Sequence, residues 1–195
     1  MADIVLFHHI QGLTPGVIAL RDSLADSGHT VHTPDLYAGH TFALMRDGVA
    51  YLRSLDPVAV DQQADDAVAA LPEALVYAGI SWGVSHAQRF AQTRPQARGA
   101  IFFDACFPTS GEGSYGPWPA GLPVQVHGMD HDEFFAFEGD LQAARELVAS
   151  AGTDHAELFT YRGNAHLFID SSLPTHDVEA TQMALDRTLN FLARI

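Results

Sequence analysis

The stretch EALVYAGISWGVSHAQRFAQTRP, residues 73–95, decides the fold of this chain. An apolar, β-rich run leads into the five residues GISWG at 79–83, and a helical pattern follows until Pro95. A strand that turns directly into a helix around G-x-S-x-G is typical of a nucleophile elbow, in which a tight turn presents a serine hydroxyl. The two glycines relieve the crowding in such a turn. The stretch therefore predicts that Ser81 is a nucleophile; the alternative is a structural serine in a tight turn.

Strand-like and helical segments alternate along the whole chain. Six β-rich runs separated mostly by helices predict one mainly parallel sheet with helices on both faces. The length of 195 residues fits a single domain over residues 1–195. The β-rich runs are residues 3–9, 29–37, 73–81, 98–108, 122–130 and 156–163, and the helical segments are residues 14–28, 42–54, 57–71, 83–95, 140–152 and 175–195.

The composition argues against several classes of protein. The net charge is -14 and all ten basic residues are arginine, so no basic surface is expected for nucleic acid. No apolar run is long enough to span a bilayer, and the N-terminus lacks the basic flank of a signal peptide. The single Cys106 fits a reducing compartment, and we expect a cytoplasmic location.

Motifs for metals and cofactors are missing from the sequence. No H-x-x-x-H or H-E-x-x-H pattern lies on a predicted helix, and there is no cysteine cluster. No phosphate-binding glycine motif follows a predicted strand. We therefore expect neither a metal nor a cofactor.

The ends of the predicted strands carry the other candidates for catalysis. The carboxyl ends of parallel strands meet at one edge of a sheet, so residues just after each strand lie near one another. His166 follows the last strand, and the chain order serine, acid, histidine is that of an α/β-hydrolase. Asp130 is the predicted acid, because it ends the preceding strand. Asp132 and Asp104 are alternatives, and so is the absence of any triad.

Two backbone amides and several side chains complete the predicted site. The amide of Trp82, at the start of a helix, and that of Ile10, after the first strand, are the expected oxyanion donors. The pocket is expected to be lined by a histidine and by aromatic side chains, namely His9, Phe107, Trp118, Phe134 and Phe168.

The residues also resemble the dienelactone hydrolase family of α/β-hydrolases over nearly the whole chain. The resemblance rests on VLFHHIQGL (5–13), TPDLYAG (33–39), GISWG (79–83), HGMDH (127–131) and NAHLF (164–168). It implies the α/β-hydrolase fold and a cofactor-free hydrolase. It also implies a nucleophile-His-Asp triad on Ser81, His166 and Asp130, with oxyanion amides from Trp82 and Ile10.

Four departures from the family pattern change the expected substrate. The best-known members have cysteine where this chain has Ser81, glutamate where it has His9, and a substrate-binding arginine where it has Asp170. A carboxylate at this last position would repel an anionic dienelactone. The first strand here is VLFHH, so we also expect the family's usual N-terminal strands to be missing and the sheet to be smaller.

These observations favour a carboxylic-ester hydrolase that acts on a small, neutral ester or lactone. The alternatives are a non-catalytic small-molecule binding protein on the same fold and an acyltransferase. The only partner we expect is the small-molecule substrate, and we expect a monomer or a homodimer.

Overall fold

A six-stranded sheet organises the chain. The computed structural model describes residues 1–111 and 113–195. The strands lie in the order β2-β1-β3-β4-β5-β6, and every neighbouring pair is parallel. The strands are β1 (Asp3–Phe7), β2 (Thr30–His32), β3 (Val76–Ile80), β4 (Gly99–Phe103), β5 (Val124–Met129) and β6 (Ala156–Tyr161). The predicted parallel sheet is confirmed.

Successive residues of each strand enter two separate apolar cores. In β1, Val5 and Phe7 pack into one core, whereas Ile4 and Leu6 pack into the core on the opposite face. This alternation follows from the two-residue period of a strand. The central strands β3, β4 and β5 are buried throughout, which explains why they read as nearly continuous apolar runs in the sequence.

Helices cover both faces, as predicted. α1 (Pro15–Asp26) and α7 (Val178–Leu192) pack on one face, and α3 (Pro57–Ala69), α4 (Gly83–Thr93) and α6 (Asp140–Ala151) pack on the other. Two further helices, α2 (Met45–Ser54) and α5 (Glu133–Phe137), contribute residues to the carboxyl end of the sheet. Among the described residues, no helix combines the length and the apolar character needed to cross a membrane.

The element boundaries differ from the sequence expectations at a few places. The second strand is only three residues long, because the chain leaves the sheet before Pro34. α7 begins at Val178, since the side chain of Asp177 accepts a hydrogen bond from the Ala180 amide at 2.9 Å and caps the helix. The short helix α5 is not predicted by the sequence pattern. It begins directly after Asp132, whose side chain caps it.

Candidate active site

Ser81 lies in a strained turn between β3 and α4. Its φ is +49°, a left-handed conformation that a serine rarely adopts. The flanking glycines are required sterically. A Cβ on Gly79 would lie 2.5 Å from the carbonyl oxygen of Gly83, and a Cβ on Gly83 would lie 2.5 Å from that of His8. The turn thus lifts the Ser81 hydroxyl above the sheet edge, as the motif predicted.

A hydrogen-bonded chain links Ser81 to a histidine and a buried acid. Ser81 Oγ lies 2.8 Å from His166 Nε2, and His166 Nδ1 lies 2.6 Å from Asp132 Oδ2. A carboxylate at Nδ1 fixes the neutral tautomer that carries its proton there, so Nε2 is free to accept the serine proton. The pairing places the three groups in the geometry of a serine-hydrolase triad.

The acid at His166 is Asp132, and the prediction of Asp130 is wrong. Asp130 points away, because its Oδ1 accepts hydrogen bonds from His131 Nδ1 at 2.7 Å and from the Gly163 amide at 3.0 Å. A turn after β5 carries the chain on to Asp132, whose Oδ1 caps α5 by accepting from the Phe134 amide at 3.0 Å. With one oxygen fixed by the helix, the other is aimed at the imidazole.

Burial and charge act on His166 in opposite directions. Burial alone would lower its pKa, but the hydrogen bond with Asp132 and the charges of Asp104, Asp132 and Asp140 raise the pKa above its ordinary value. The ring of Phe134 lies 4.8 Å from the imidazole ring and shields it. The site therefore favours the imidazolium form of His166 relative to a free imidazole.

Trp82 and Ile10, whose amides are the predicted oxyanion donors, lie near Ser81. Trp82 is at the N-terminal cap of α4, and Ile10 follows β1; both line the same cavity as Ser81. Among the described residues, neither amide donates to a backbone acceptor. Free N–H groups next to a nucleophile can stabilise a developing oxyanion, and the helix dipole adds to the effect at Trp82.

His9 does not line the pocket, contrary to the prediction. It is fully buried, with Nε2 donating to Asp170 at 2.7 Å and Nδ1 accepting from the Gln11 amide at 3.2 Å. Asp170 also accepts hydrogen bonds from Thr14 and Ser172. The position where the family has a substrate-binding arginine therefore holds an internal carboxylate. This carboxylate ties the loop after β1 to the loop that carries His166.

The cavity in front of Ser81 has a volume of about 240 Å³. Phe107 and Phe134 are among its walls, as predicted. Trp118 and Phe168 are not, so their prediction as pocket residues is wrong. Trp118 packs edge-on against Phe102, and Phe168 lies fully buried against Tyr161 in the core beneath α1 and α7. Both lie in loops, where the sequence pattern does not distinguish an aromatic ring in the core from one that lines a pocket.

Several residues of this cavity were not anticipated from the sequence. Met45 and Val49 come from α2, and Ala105 and Asp140 come from the segment after β4 and from α6. α2 lies close to the loop after β1, where a Cβ on Gly48 would clash with the carbonyl oxygen of Ile10. The small residue at Gly48 was the only local signal for this close approach.

A second cavity, of about 360 Å³, adjoins the first on the other side of His166. The two cavities share Met45, Phe134 and His166. The second is lined by additional polar side chains, including Gln11, Asn164 and Thr175. A larger groove of about 620 Å³ lies at the opposite end of the sheet, around Pro95 and Pro123, far from this chemistry.

Comparison with models of protein families identifies a family for this chain. The sequence matches the model of the dienelactone hydrolase family over residues 2–195. Comparison with curated proteins gave no match.

Solved structures with the same fold include two kinds of enzyme. One is the dienelactone hydrolase-like promiscuous phosphotriesterase P91 from metagenomic libraries, with 17% identity and a TM-score of 0.74 over 100% of this chain and 86% of that one. Another is esterase 2 of Thermogutta terrifontis phosphoramylated by tabun, with 21% identity and a TM-score of 0.71. The match covers 99% of this chain and 83% of the esterase. The butyrate-bound Est2 of the same organism has 20% identity and a TM-score of 0.65, and the match covers 99% of this chain and 83% of Est2.

Proposed function

The chain belongs to the dienelactone hydrolase family, and from this premise we propose that it is a serine hydrolase that cleaves a small ester or lactone through an acyl-enzyme. The observation that carries the proposal is the hydrogen-bonded chain from Ser81 through His166 to Asp132, which opens on an apolar cavity. A serine hydroxyl becomes a useful nucleophile when a positioned base takes its proton, and this chain supplies the base and the group that orients it.

The first half-reaction forms the acyl-enzyme. Ser81 Oγ attacks the substrate carbonyl while its proton passes to His166 Nε2, and Asp132 stabilises the resulting imidazolium. The negative charge on the former carbonyl oxygen is met by the amides of Trp82 and Ile10. The intermediate collapses when the C–O bond to the alcohol breaks and His166 returns the proton to the departing oxygen.

The second half-reaction releases the acyl group. A water molecule takes the place of the alcohol, and His166 Nε2 accepts its proton as the oxygen attacks the ester carbonyl of acyl-Ser81. Collapse of this second intermediate frees the carboxylic acid and restores the Ser81 hydroxyl. All proton transfers go through His166, so no other acid or base is needed.

The two cavities suggest separate binding positions for the acyl group and the alcohol part of a substrate. The acyl group fits the cavity of about 240 Å³, since this cavity contains Ser81 and both oxyanion residues. Its lining is largely apolar, which suits an uncharged acyl group. The alcohol part fits the more polar cavity beyond His166.

The charges near the acyl cavity disfavour an anionic acyl group. Asp140 lines this cavity, and burial raises its pKa to about 6, so it is largely ionised at neutral pH. No lysine or arginine lines the cavity among the described residues. We therefore expect a neutral butyrate ester to be hydrolysed much faster than the corresponding succinate monoester. Asp140→Asn should reduce the preference for the butyrate ester over the succinate monoester. An unchanged ratio of the two kcat/KM values would show that Asp140 does not repel an anionic acyl group.

The proposal is tested with p-nitrophenyl esters of increasing acyl length and with a fluorophosphonate probe. The probe suits the mechanism because the related esterase of Thermogutta terrifontis is phosphoramylated by tabun. We expect burst kinetics and covalent labelling of the wild-type protein, and loss of both in Ser81→Ala. Ser23→Ala, in a partly exposed position of α1, is the matched control and should behave as wild type. Full activity or labelling in Ser81→Ala would overturn the proposal.

Two other functions remain as outcomes of the same experiment. A non-catalytic binding protein would show neither a burst nor labelling, and the 2.8 Å distance between Ser81 and His166 argues against it. An acyltransferase would share the first half-reaction. With a small amount of an added alcohol present, an acyltransferase would form a new ester of that alcohol in place of the carboxylic acid.

A further inference from the structure

Asp104 is a buried carboxyl group without a hydrogen-bond partner. It lies just after β4 and is 1% exposed. Neither of its carboxyl oxygens accepts a hydrogen bond of normal geometry among the described residues, although the Leu167 amide lies near enough to act on its charge. An isolated buried carboxylate is unfavourable by several kcal/mol unless something compensates for it. An asparagine would avoid this penalty and tolerate the same backbone conformation, so the negative charge has no structural advantage at this position.

The group that faces Asp104 is the imidazole of His166. A carboxyl oxygen of Asp104, an oxygen of Asp132 and a ring nitrogen of His166 all lie within 4.8 Å of one another. Asp140 also acts on His166 by its charge. Three carboxyl groups thus act by their charge on one basic ring.

We propose that Asp104 is a positioning residue for His166, a second buried carboxylate that stabilises the imidazolium formed when Ser81 loses its proton. The inference rests on the proposed hydrolase function. The proton moves from Ser81 Oγ to His166 Nε2 and back to the leaving group, and neither acid takes it up. Asp132 orients the ring through a direct hydrogen bond, whereas Asp104 acts through space, with no hydrogen bond to the ring.

The backbone at Asp104 holds the carboxyl in this position. Its φ is +59°, and its amide donates to the carbonyl of His127 at 2.8 Å, which extends the pairing of β4 with β5 by one residue. Asp tolerates the left-handed conformation better than most residues, but the conformation still carries strain. Strained conformations of this kind concentrate at active sites, where surrounding structure maintains them.

The charge state of Asp104 depends on the same neighbours. Burial is the main influence and raises its pKa to about 7, with Asp132 acting in the same direction and His166 opposing it. Ionised Asp104 is therefore favoured when His166 carries its positive charge. Asp104 acts as the ionised carboxylate, and it neither releases nor takes up a proton during the reaction.

The first test is the pH dependence of kcat/KM in Asp104→Asn. Removing a negative charge near His166 lowers the pKa of the ring, so the acid limb of the profile should move to lower pH by roughly one unit. The rate on the plateau should fall about tenfold, because the imidazolium is less stabilised. Asp130→Asn is the matched control: it removes a carboxylate from the same end of the sheet without facing His166. An acid limb that stays in place in Asp104→Asn would overturn the inference.

The second test does not need an active enzyme. In Ser81→Ala, the pKa of His166 is measured by NMR with Asp104 present and with Asp104→Asn. We expect the pKa to fall by roughly one unit in the double variant. An unchanged pKa refutes the inference even if the protein hydrolyses no ester tested, and a clear shift supports it in that case too. The failure of the inference is therefore distinguishable from the failure of the proposed function.

Thermal unfolding separates this role from a structural one. Since Asn is neutral and almost the same size, Asp104→Asn should raise the unfolding temperature while it lowers activity. A variant that is both less stable and less active, with the His166 pKa unchanged, would show that Asp104 serves the fold instead.

Discussion

Asp132→Asn is the substitution that most directly tests the geometry of the site. Asp132 is fully buried, and its two oxygens have different partners, because Oδ1 caps α5 and Oδ2 meets His166 Nδ1. Asparagine is also a good N-cap, so its carbonyl oxygen should keep the hydrogen bond from the Phe134 amide. The amide NH₂ must then face His166 Nδ1, where it can only donate.

The expected loss of rate follows from that orientation. A donor opposite Nδ1 forces the ring proton onto Nε2, and a protonated Nε2 cannot accept the proton of Ser81. In serine proteases the same change of tautomer lowers kcat by about 10⁴-fold. Each factor of ten corresponds to about 1.4 kcal/mol of transition-state stabilisation, so we expect a loss of about 5 kcal/mol here. The fold should be retained, because volume and cap are conserved.

The assay compares Asp132→Asn with Asp130→Asn on a p-nitrophenyl ester at a pH where the wild type is fully active. Asp130 lies two residues away and is partly exposed, so its substitution should change kcat less than twofold. Near-ultraviolet circular dichroism checks that both variants keep the native packing. A large loss in Asp130→Asn together with a small loss in Asp132→Asn would refute the assignment of the acid.

Three further substitutions test the framework of the site. Asp170→Asn should destabilise the protein by about 3 kcal/mol at pH 7, because it leaves buried donors facing a neutral amide. Burial opposes ionisation of Asp170, but hydrogen bonds from His9, Ser172 and Thr14 lower its pKa to about 2. The ionised carboxylate therefore stabilises the fold above the unfolded-state pKa of about 4, and this stabilisation is lost as the pH falls toward 2. In urea unfolding, Asp170→Asn should lower the free energy of unfolding less at pH 3 than at pH 7. An equal loss at both pH values would show that the charge of Asp170 does not stabilise the fold. Val49→Phe should partly fill the acyl cavity and reduce kcat/KM more for butyrate than for acetate esters, and a parallel reduction would contradict the assignment of that cavity. Gly79→Ala should lower stability by about 1 to 3 kcal/mol in a thermal melt because its Cβ meets the Gly83 carbonyl, and an unchanged melting temperature would show that the elbow is less crowded than described.

The elbow could be predicted because its determinants are local. A strand, two glycines around one serine and a helix all fall within residues 73–95. The parallel sheet and its helices on both faces followed from the alternation of apolar runs and amphipathic segments. The position of His166 followed from the order of the strands, which brings the loop after β6 to the same edge as the turn after β3.

The acid and the pocket walls depend on contacts that local patterns do not encode. Asp130 and Asp132 both follow β5, and only the turn between them and the cap of α5 decide which one faces His166. His9 is held by Asp170, 161 residues away in the sequence. Phe168 lies two residues after His166 in the chain, but its side chain packs into the core. Each outcome is set by the packing of distant segments, which a single sequence does not reveal.

Ser81, Asp132 and His166 follow three different strands, β3, β5 and β6, and this separation has a consequence for how the site forms during folding. Ser81 and His166 are separated by 85 residues, and His166 and Asp132 by 34. Pairing parallel strands that are far apart in the sequence carries an entropic cost and is slow. We expect fluorophosphonate reactivity to return only after β3 through β6 have paired, later than the recovery of helical circular dichroism during refolding. Covalent labelling would then report on completion of the sheet, and no fragment that lacks β6 should acquire it.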